Sequence, residues 1–157
     1  MENIIFDTAN LNDIPELIRM RIAFSEADLG TISDEDKHSM EAVLPDYYNR
    51  KLGKELMAFV ARDGEKIVST AYLLISEKPA SPKFLNGLTG EVFSVYTEKE
   101  YRRRGISTQL LKNLLEFAKE KRLCRIDLSA TSEGYPLYKK LGFTEKGQEY
   151  TDMRLKP

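Results

Sequence analysis

Three arginines and a glycine, Arg102, Arg103, Arg104 and Gly105, stand between two different apolar patterns. Before them, Val92 to Tyr96 is a β-branched and aromatic run of the kind found in a buried strand. After them, Leu110, Leu111, Leu114, Leu115 and Ala118 recur at helical spacing. A strand that passes into a helix through such a loop directs several main-chain N–H groups, and the positive end of the helix dipole, at one spot. The arginines add full positive charge there, and Gly105 lets the backbone approach a ligand without a Cβ in the way. The chemistry this stretch could do is to cradle a phosphate. A basic triplet before a helix also reads as a solvated surface, and both readings stand at this level. The chain has no G-x-x-x-x-G-K-[ST] sequence and no G-x-G-x-x-G after a strand, so the loop is not one of those nucleotide-binding forms.

Two other residues have reactive side chains. Cys124 enters a strand between Leu123 and Arg125 with no histidine near it in sequence to activate it. A packed core or sub-surface thiol is expected, not a nucleophile. His38, the sole histidine, lies in an acidic helical segment and is expected at the surface. No metal site is predicted.

The elements that must position these residues follow from pattern. Ile4 to Phe6 predicts a first strand. Asn12 or Asp13 can cap a helix with Pro15 in its first turn and an apolar stripe of Ile14, Leu17, Ile18 and Ile22 ending near Phe24. A second helix is predicted from Ser33 or Asp34 to about Leu52, broken or kinked near Pro45. Met57 to Arg62 and Ile67 to Ser76 read as strands joined through Asp63-Gly64-Glu65, a hairpin signal. Lys78 to Gly87 reads as a loop. Gly90 to Thr97 precedes the arginine loop, and Arg125 to Thr131 should lie parallel to it because a helix connects them. A short helix then runs from Gly134 to a stop at Gly142. Phe143 to Lys146 and Tyr150 to Leu155 are expected to pair as a closing hairpin whose exposed edge could join two chains as a homodimer. The order is β-α-α-β-β-β-α-β-α-β-β, an α/β protein with a mixed sheet and helices on both faces.

At 157 residues the chain has the length of one domain with its own core, and 41% hydrophobic with 31% charged residues is an ordinary folded composition. A net charge of −1 gives no reason to expect attraction to nucleic acid or an anionic membrane, and no aromatic stacking platform accompanies the arginines. The N-terminus lacks the basic and apolar regions of a signal peptide, and one cysteine makes no internal disulfide, so a cytoplasmic location is expected. Charge is unevenly spread. Ala23 to Arg50 holds seven acids against two bases, whereas Arg102 to Arg125 holds eight bases against two acids. An anionic cofactor near one segment and a cationic substrate near the other would produce this pattern, and so would two unrelated solvated helix faces.

Arg102-x-x-Gly105-x-Ser107, closing a strand and opening a helix, resembles the R/Q-x-x-G-x-G/A signature of the GNAT superfamily of acyl-coenzyme A dependent N-acetyltransferases, with Ser107 where the family has Gly or Ala. Pro136-Leu-Tyr138-Lys-Lys-Leu-Gly142-Phe143 is similar to that family's Y-x-x-x-G-F helix end. The resemblance covers most of the chain and is strongest from Gly90 to Phe143.

The resemblance implies a three-layer fold, mostly antiparallel, with a central parallel strand pair splayed apart, and acetyl-CoA as co-substrate. It implies that Arg103, Arg104, Gly105, Ile106, Ser107 and Thr108 hold the pyrophosphate and that Val95, Tyr96 and Thr97 run beside the pantetheine arm, with the Val95 N–H as oxyanion donor. Tyr138 matches the family's general acid, Glu91 a glutamate some members use as base, and Thr131 a position where relatives often contact the cofactor through asparagine. Packing for Tyr138 and an exposed strand start for Glu91 are the plain alternatives. The implied reaction is direct attack of a primary amine on acetyl-CoA without a covalent enzyme intermediate; a non-catalytic acyl-CoA sensing module is the other function compatible with these residues. The acceptor is expected to be a small-molecule amine, a peptide N-terminus or a lysine. The acidic segment from Glu26 to Asp46, with Phe24, Tyr47 and Tyr48, points to a cationic one.

Overall fold

The computed structural model describes residues 3–147 and 149–157. Its elements are β1 (Ile4–Thr8), α1 (Ile14–Leu29), α2 (Asp34–Lys51), β2 (Leu56–Asp63), β3 (Lys66–Glu77), β4 (Leu88–Thr97), α3 (Ile106–Glu120), β5 (Arg125–Asp127) and α4 (Tyr135–Lys140). Five strands form one sheet in the order β1-β2-β3-β4-β5. The first four pair antiparallel, and β5 joins β4 in parallel. The sheet is therefore mixed, as the pattern predicts.

Alternation along the strands builds the layers. Leu56, Ala58 and Val60 of β2 and Tyr72 of β3 pack with Leu17 and Met20 of α1 and Tyr48 of α2. Phe59, Ala61, Ala71 and Leu73 point the other way, onto Leu110, Leu111, Leu114 and Ala118 of α3. Burial of those leucines holds α3 against the sheet and so fixes the loop before it. The β2–β3 hairpin turns through Gly64 and Glu65, with Gly64 in the left-handed region at φ +62°.

Local signals account for most helix ends. Ser33 caps α2 by accepting from the Asp36 N–H, and Gly30, at φ +86°, stops α1. Helix α1 runs five residues past the predicted end. Asp13 occupies its cap position without a side-chain bond there, because its carboxylate instead accepts from the Asn10 N–H and from Arg62. The predicted break at Pro45 is corrected: α2 continues through it. The carbonyl that loses its helical donor belongs to Glu41 on the exposed face, where water can bond it.

Two further corrections concern the second half. The strand predicted to Thr131 stops at Asp127, because the parallel ladder ends at Glu91↔Asp127 and Leu128 to Thr131 have no strand beside them. The closing hairpin does not form among the described residues. Phe143 to Lys146 and Tyr150 to Leu155 carry no strand, and Tyr150, Met153 and Leu155 are exposed rather than laid on the sheet. Without an apolar face to bury, two runs of this length have too little to hold them together. The parallel pair consequently lies at the sheet margin instead of its centre, and the edge proposed to join two chains is not built.

Candidate active site

The arginine loop joins β4 to α3 through a short 3-10 turn, Lys99–Tyr101. Arg103 and Gly105 both have left-handed backbones, at φ +62° and +74°. Gly105 occupies the cap position of α3, and no side chain caps the helix. The first-turn N–H groups of Ile106, Ser107 and Thr108 thus keep their donor capacity for a ligand. A Cβ at Gly105 would meet no protein atom within 4 Å, so the space before it is open and the constraint on the residue is its φ.

The three arginines divide the work. Arg102 donates from Nε to the Thr97 carbonyl at 2.9 Å and lies over the Tyr96 ring. Arg104 rests on Tyr101, while Arg103 is exposed. Ile106 buries its side chain in the core, so only its main chain can face a ligand. Ser107, the departure from the family signature, is bonded to Thr97, whose Oγ1 in turn meets Ser69 Oγ at 2.7 Å.

Strand β4 carries a bulge. Thr70 is opposite Tyr96 and Tyr72 opposite Phe93, so one residue on β3 faces two, Ser94 and Val95, on β4. Ser94 adopts φ +51°, and its carbonyl accepts from Thr70 Oγ1 at 3.0 Å. On the other side, the β5 ladder has already ended at Glu91. Ser94 and Val95 therefore belong to neither ladder. The extra residue also turns Phe93 and Tyr96, three apart, to the same face, toward α1. Sequence reasoning foresaw the gap between the parallel strands but not Ser94, since a serine carries no mark of the left-handed conformation that glycine or asparagine would have given.

A cavity of about 350 Å³ occupies the gap. Val95, Tyr96, Thr97, Arg102 and Ser107 line it together with Thr131, Tyr138 and Phe24. A second, of about 430 Å³, lies beside it and shares Val95, Thr131, Tyr138, Phe24 and Asp28 while adding Arg21, Glu91, Phe93, Ser94 and Ser129. The shared wall places Tyr138 and Val95 between the two.

Tyr138 is half-buried, and burial pushes its phenol up from the ordinary value, so it stays protonated at neutral pH. Its ring stands edge-on to Phe143 at 5.9 Å, and the Phe143 N–H donates to the Tyr138 carbonyl at 3.0 Å. The Gly-Phe that follows α4 thus holds the tyrosine from behind. Gly134 lies under the ring: a Cβ there would come within 2.9 Å of Tyr138 Cε2. Thr131 Oγ1 accepts the Gly134 N–H at 3.1 Å, which shapes the turn into α4 and leaves the hydroxyl proton able to reach the cavity. Sequence reasoning missed Gly134 as a site residue, since only its closeness to Tyr138 marks it.

Several expectations change. Glu91 lines the second cavity and is exposed, as the plain alternative for it has it. Of the acids in that segment only Asp28 lines either cavity. Glu26 pairs with Lys37 at 3.1 Å and Asp46 with Arg50 at 2.7 Å, while Tyr47 and Tyr48 pack under α2. Cys124 is exposed rather than packed, with its Sγ 2.8 Å from Asn86 Oδ1, and it lines neither cavity. His38 is at the surface as expected.

The model of the acetyltransferase (GNAT) family matches residues 32–143. Among solved structures, the chain resembles a predicted acetyltransferase with acetyl-CoA from Clostridium acetobutylicum, at 29% identity and a TM-score of 0.83, over 97% of this chain and 96% of that one. Among curated proteins it is 29% identical over 96 residues to glucosamine 6-phosphate N-acetyltransferase of Trypanosoma brucei brucei, covering 60% of this chain and 62% of that protein. It is 33% identical over 91 residues to probable glucosamine 6-phosphate N-acetyltransferase 2 of Oryza sativa subsp. japonica, covering 48% and 55%. The chain spans less than two thirds of the length of these curated relatives. The family match takes in most of the chain, including the arginine loop, the bulged strand and the Tyr138 helix, and the chain belongs to the GNAT family of acetyltransferases.

Proposed function

We propose that this protein transfers the acetyl group of acetyl-CoA to a primary amine in one direct step. The observation that carries the reading is the position of Val95, outside both strand ladders and on the same cavity wall as the Tyr138 phenol. A main-chain N–H outside the regular pairing and a protonated phenol suit two needs of acyl transfer from a thioester, stabilising the oxyanion and protonating the leaving thiolate.

Acetyl-CoA supplies the activated acyl group. The uncapped first turn of α3, from Ile106 to Thr108, with Arg103, Arg104 and Gly105, binds its pyrophosphate through main-chain donors and charge. Tyr96 and Thr97 flank the pantetheine arm, and Thr131 donates its hydroxyl proton toward it. Val95 N–H stabilises the negative charge that develops on the acetyl oxygen. Glu91, exposed at the second cavity, takes a proton from the incoming ammonium through water. As the amine nitrogen bonds to the acyl carbon, the carbon–sulfur bond breaks and Tyr138 gives its proton to the departing thiolate. The proton that the nitrogen sheds on becoming a neutral amide passes through water to the phenolate, which restores Tyr138. Cys124 lies outside both cavities, so no acetyl-cysteine stage is invoked.

No helix among the described residues is long and apolar enough to cross a membrane. The exposed free thiol of Cys124 supports a reducing, cytoplasmic setting. The test is thiol release from acetyl-CoA across a panel of primary amines that includes glucosamine 6-phosphate, the substrate in the names of the two curated relatives. Turnover of at least one amine is expected. Tight acetyl-CoA binding with no turnover on any amine would overturn the enzyme reading in favour of an acyl-CoA sensor.

A further inference from the structure

The second cavity contains a cation that the reaction above does not use. Arg21, on α1, lines it beside Glu91, Phe93 and Ser94, on the far side of Val95 and Tyr138 from the Ser107 cradle. Its guanidinium carbon lies 5.6 Å from the ring centre of Phe24 and 5.6 Å from that of Phe93. Phe93 in turn meets Tyr72 edge-on at 5.5 Å, and the buried Tyr72 and Tyr48 hydroxyls are 2.6 Å apart. Aromatic faces hold the guanidinium in place without using its N–H donors.

The contrast with the other partly buried arginines is sharp. Arg19, two residues earlier, bonds Glu16, Glu98 and the Ile67 carbonyl, and Arg62 grips Asp13 with two bonds. Among the described residues Arg21 makes no ion pair and its guanidinium no hydrogen bond, although five N–H donors need partners. The buried Ser94 hydroxyl in the same wall also has no partner. Asp28, the acid on the same face of α1, is seven residues on, about 10 Å along the axis. An arginine held between two aromatic rings, undercommitted and open to a cavity is set up to receive an oxyanion in a forked contact.

We propose that the acceptor amine also carries an anionic group, a phosphate or a carboxylate, and that Arg21 is the specificity residue that receives it. The proposal rests on the acyl-transfer reading for the identity of the cavity. The ammonium end lies toward Tyr138 with Asp28 and Glu91 lining the same space, and the anion lies at the Phe24–Phe93 clamp. A polyamine would instead set a second ammonium against Arg21, which reverses the cationic preference read from the acidic segment.

The experiment uses matched pairs: 2-aminoethyl phosphate against ethanolamine, and 4-aminobutanoate against its amide, with spermidine as the cationic arm. Each is titrated calorimetrically into protein saturated with coenzyme A and separately assayed for thiol release with acetyl-CoA. The anionic member of at least one pair is expected to bind about tenfold or more tightly than its neutral partner. Which pair shows the larger gap distinguishes phosphate from carboxylate. Arg21→Gln should erase that gap and Arg21→Lys restore part of it, with coenzyme A affinity serving as the check that both variants fold. Equal binding within both pairs, preference for spermidine, or an Arg21→Gln variant that keeps the gap would overturn the proposal. Because binding is read apart from turnover, a gap with no thiol release would uphold Arg21 while sinking the catalytic reading.

Discussion

Ser107 Oγ lies 2.7 Å from Thr97 Oγ1, tying the first turn of α3 to the end of β4. The direction of this bond follows from its neighbours. Ser69 donates to the Tyr96 carbonyl at 3.1 Å, so it accepts from Thr97, and Thr97 must then accept from Ser107. The Ser107 proton is directed to Thr97, and the donor the residue leaves free at the start of α3 is its main-chain N–H. This explains how a serine is accommodated where the family signature has Gly or Ala.

Ser107→Ala should therefore keep acetyl-CoA affinity within about threefold, while the lost hydrogen bond lowers stability by about 1 kcal/mol. Calorimetry and urea denaturation measure the two separately. A tenfold loss of affinity would mean that the hydroxyl itself binds the cofactor.

Tyr138→Phe keeps the ring packed on Phe143 and removes only the hydroxyl. A fall in kcat of about 100-fold is expected, with little change in acetyl-CoA affinity. Burial raises the phenol above its ordinary pKa of about 10, so the proton is retained throughout the neutral range. Activity should therefore show no alkaline fall from this group until beyond about pH 10. Steady-state rates against pH in both proteins decide the matter; an unchanged kcat would remove Tyr138 from the mechanism.

Gly134 has an ordinary φ of −79°, so alanine there meets no backbone strain. Its Cβ would instead come within 2.9 Å of the Tyr138 ring and force the phenol to move. Gly134→Ala is expected to lower kcat about tenfold or more through misplacement, with a smaller effect on stability. Thermal melts alongside kinetics separate this from simple unfolding, and full activity would indicate that the ring position is not critical.

The cradle is tested by reversing its charge. Arg104→Glu combined with Gly105→Asp places two carboxylates at the start of α3, against both the phosphate and the left-handed backbone of position 105. Acetyl-CoA binding should drop below calorimetric detection. Retained affinity would show that the pyrophosphate lies elsewhere.

What the sequence made legible, and what it did not, divides along physical lines. Asp63-Gly64-Glu65 announced its hairpin and Gly142 its helix stop because turn chemistry is local, and the leucines of α3 announced their buried face by spacing alone. The arginine loop and Tyr138 could be singled out as candidates for the same reason, as each sits within one short stretch. The Ser94 bulge was hidden because it depends on register with Thr70 and Tyr72 across the sheet. The length of β5 depended on where β4 stopped pairing, and the closing hairpin failed because alternation in sequence does not guarantee a surface to bury. Arg21 looked like any helical arginine until Phe93, from a distant strand, was placed over it.

The end of the sheet away from β5 is held by charge, which makes stability sensitive to acid. Asp13 is pulled below its ordinary value by the Arg62 hydrogen bonds at 2.7 and 2.8 Å, and Glu16 is lowered by Arg19. At Glu98, burial raises the carboxyl, but hydrogen bonds from Lys66 and Arg19 outweigh it and the net shift is down. A carboxylate held lower in the folded chain than in the unfolded one contributes stability that is complete above its unfolded pKa and is lost as pH falls through the folded value. All three work in the same direction, so the folded state should weaken progressively below about pH 4. Asp13→Asn removes one of these anions and leaves the partly buried Arg62 guanidinium with a neutral amide acceptor and the weaker, 3.4 Å contact to Asp7. A loss of about 1–3 kcal/mol is expected at pH 7, shrinking as the pH falls below about 4. Urea unfolding at a series of pH values measures both, and a difference between the two proteins that stayed constant from pH 7 to pH 3 would refute the linkage.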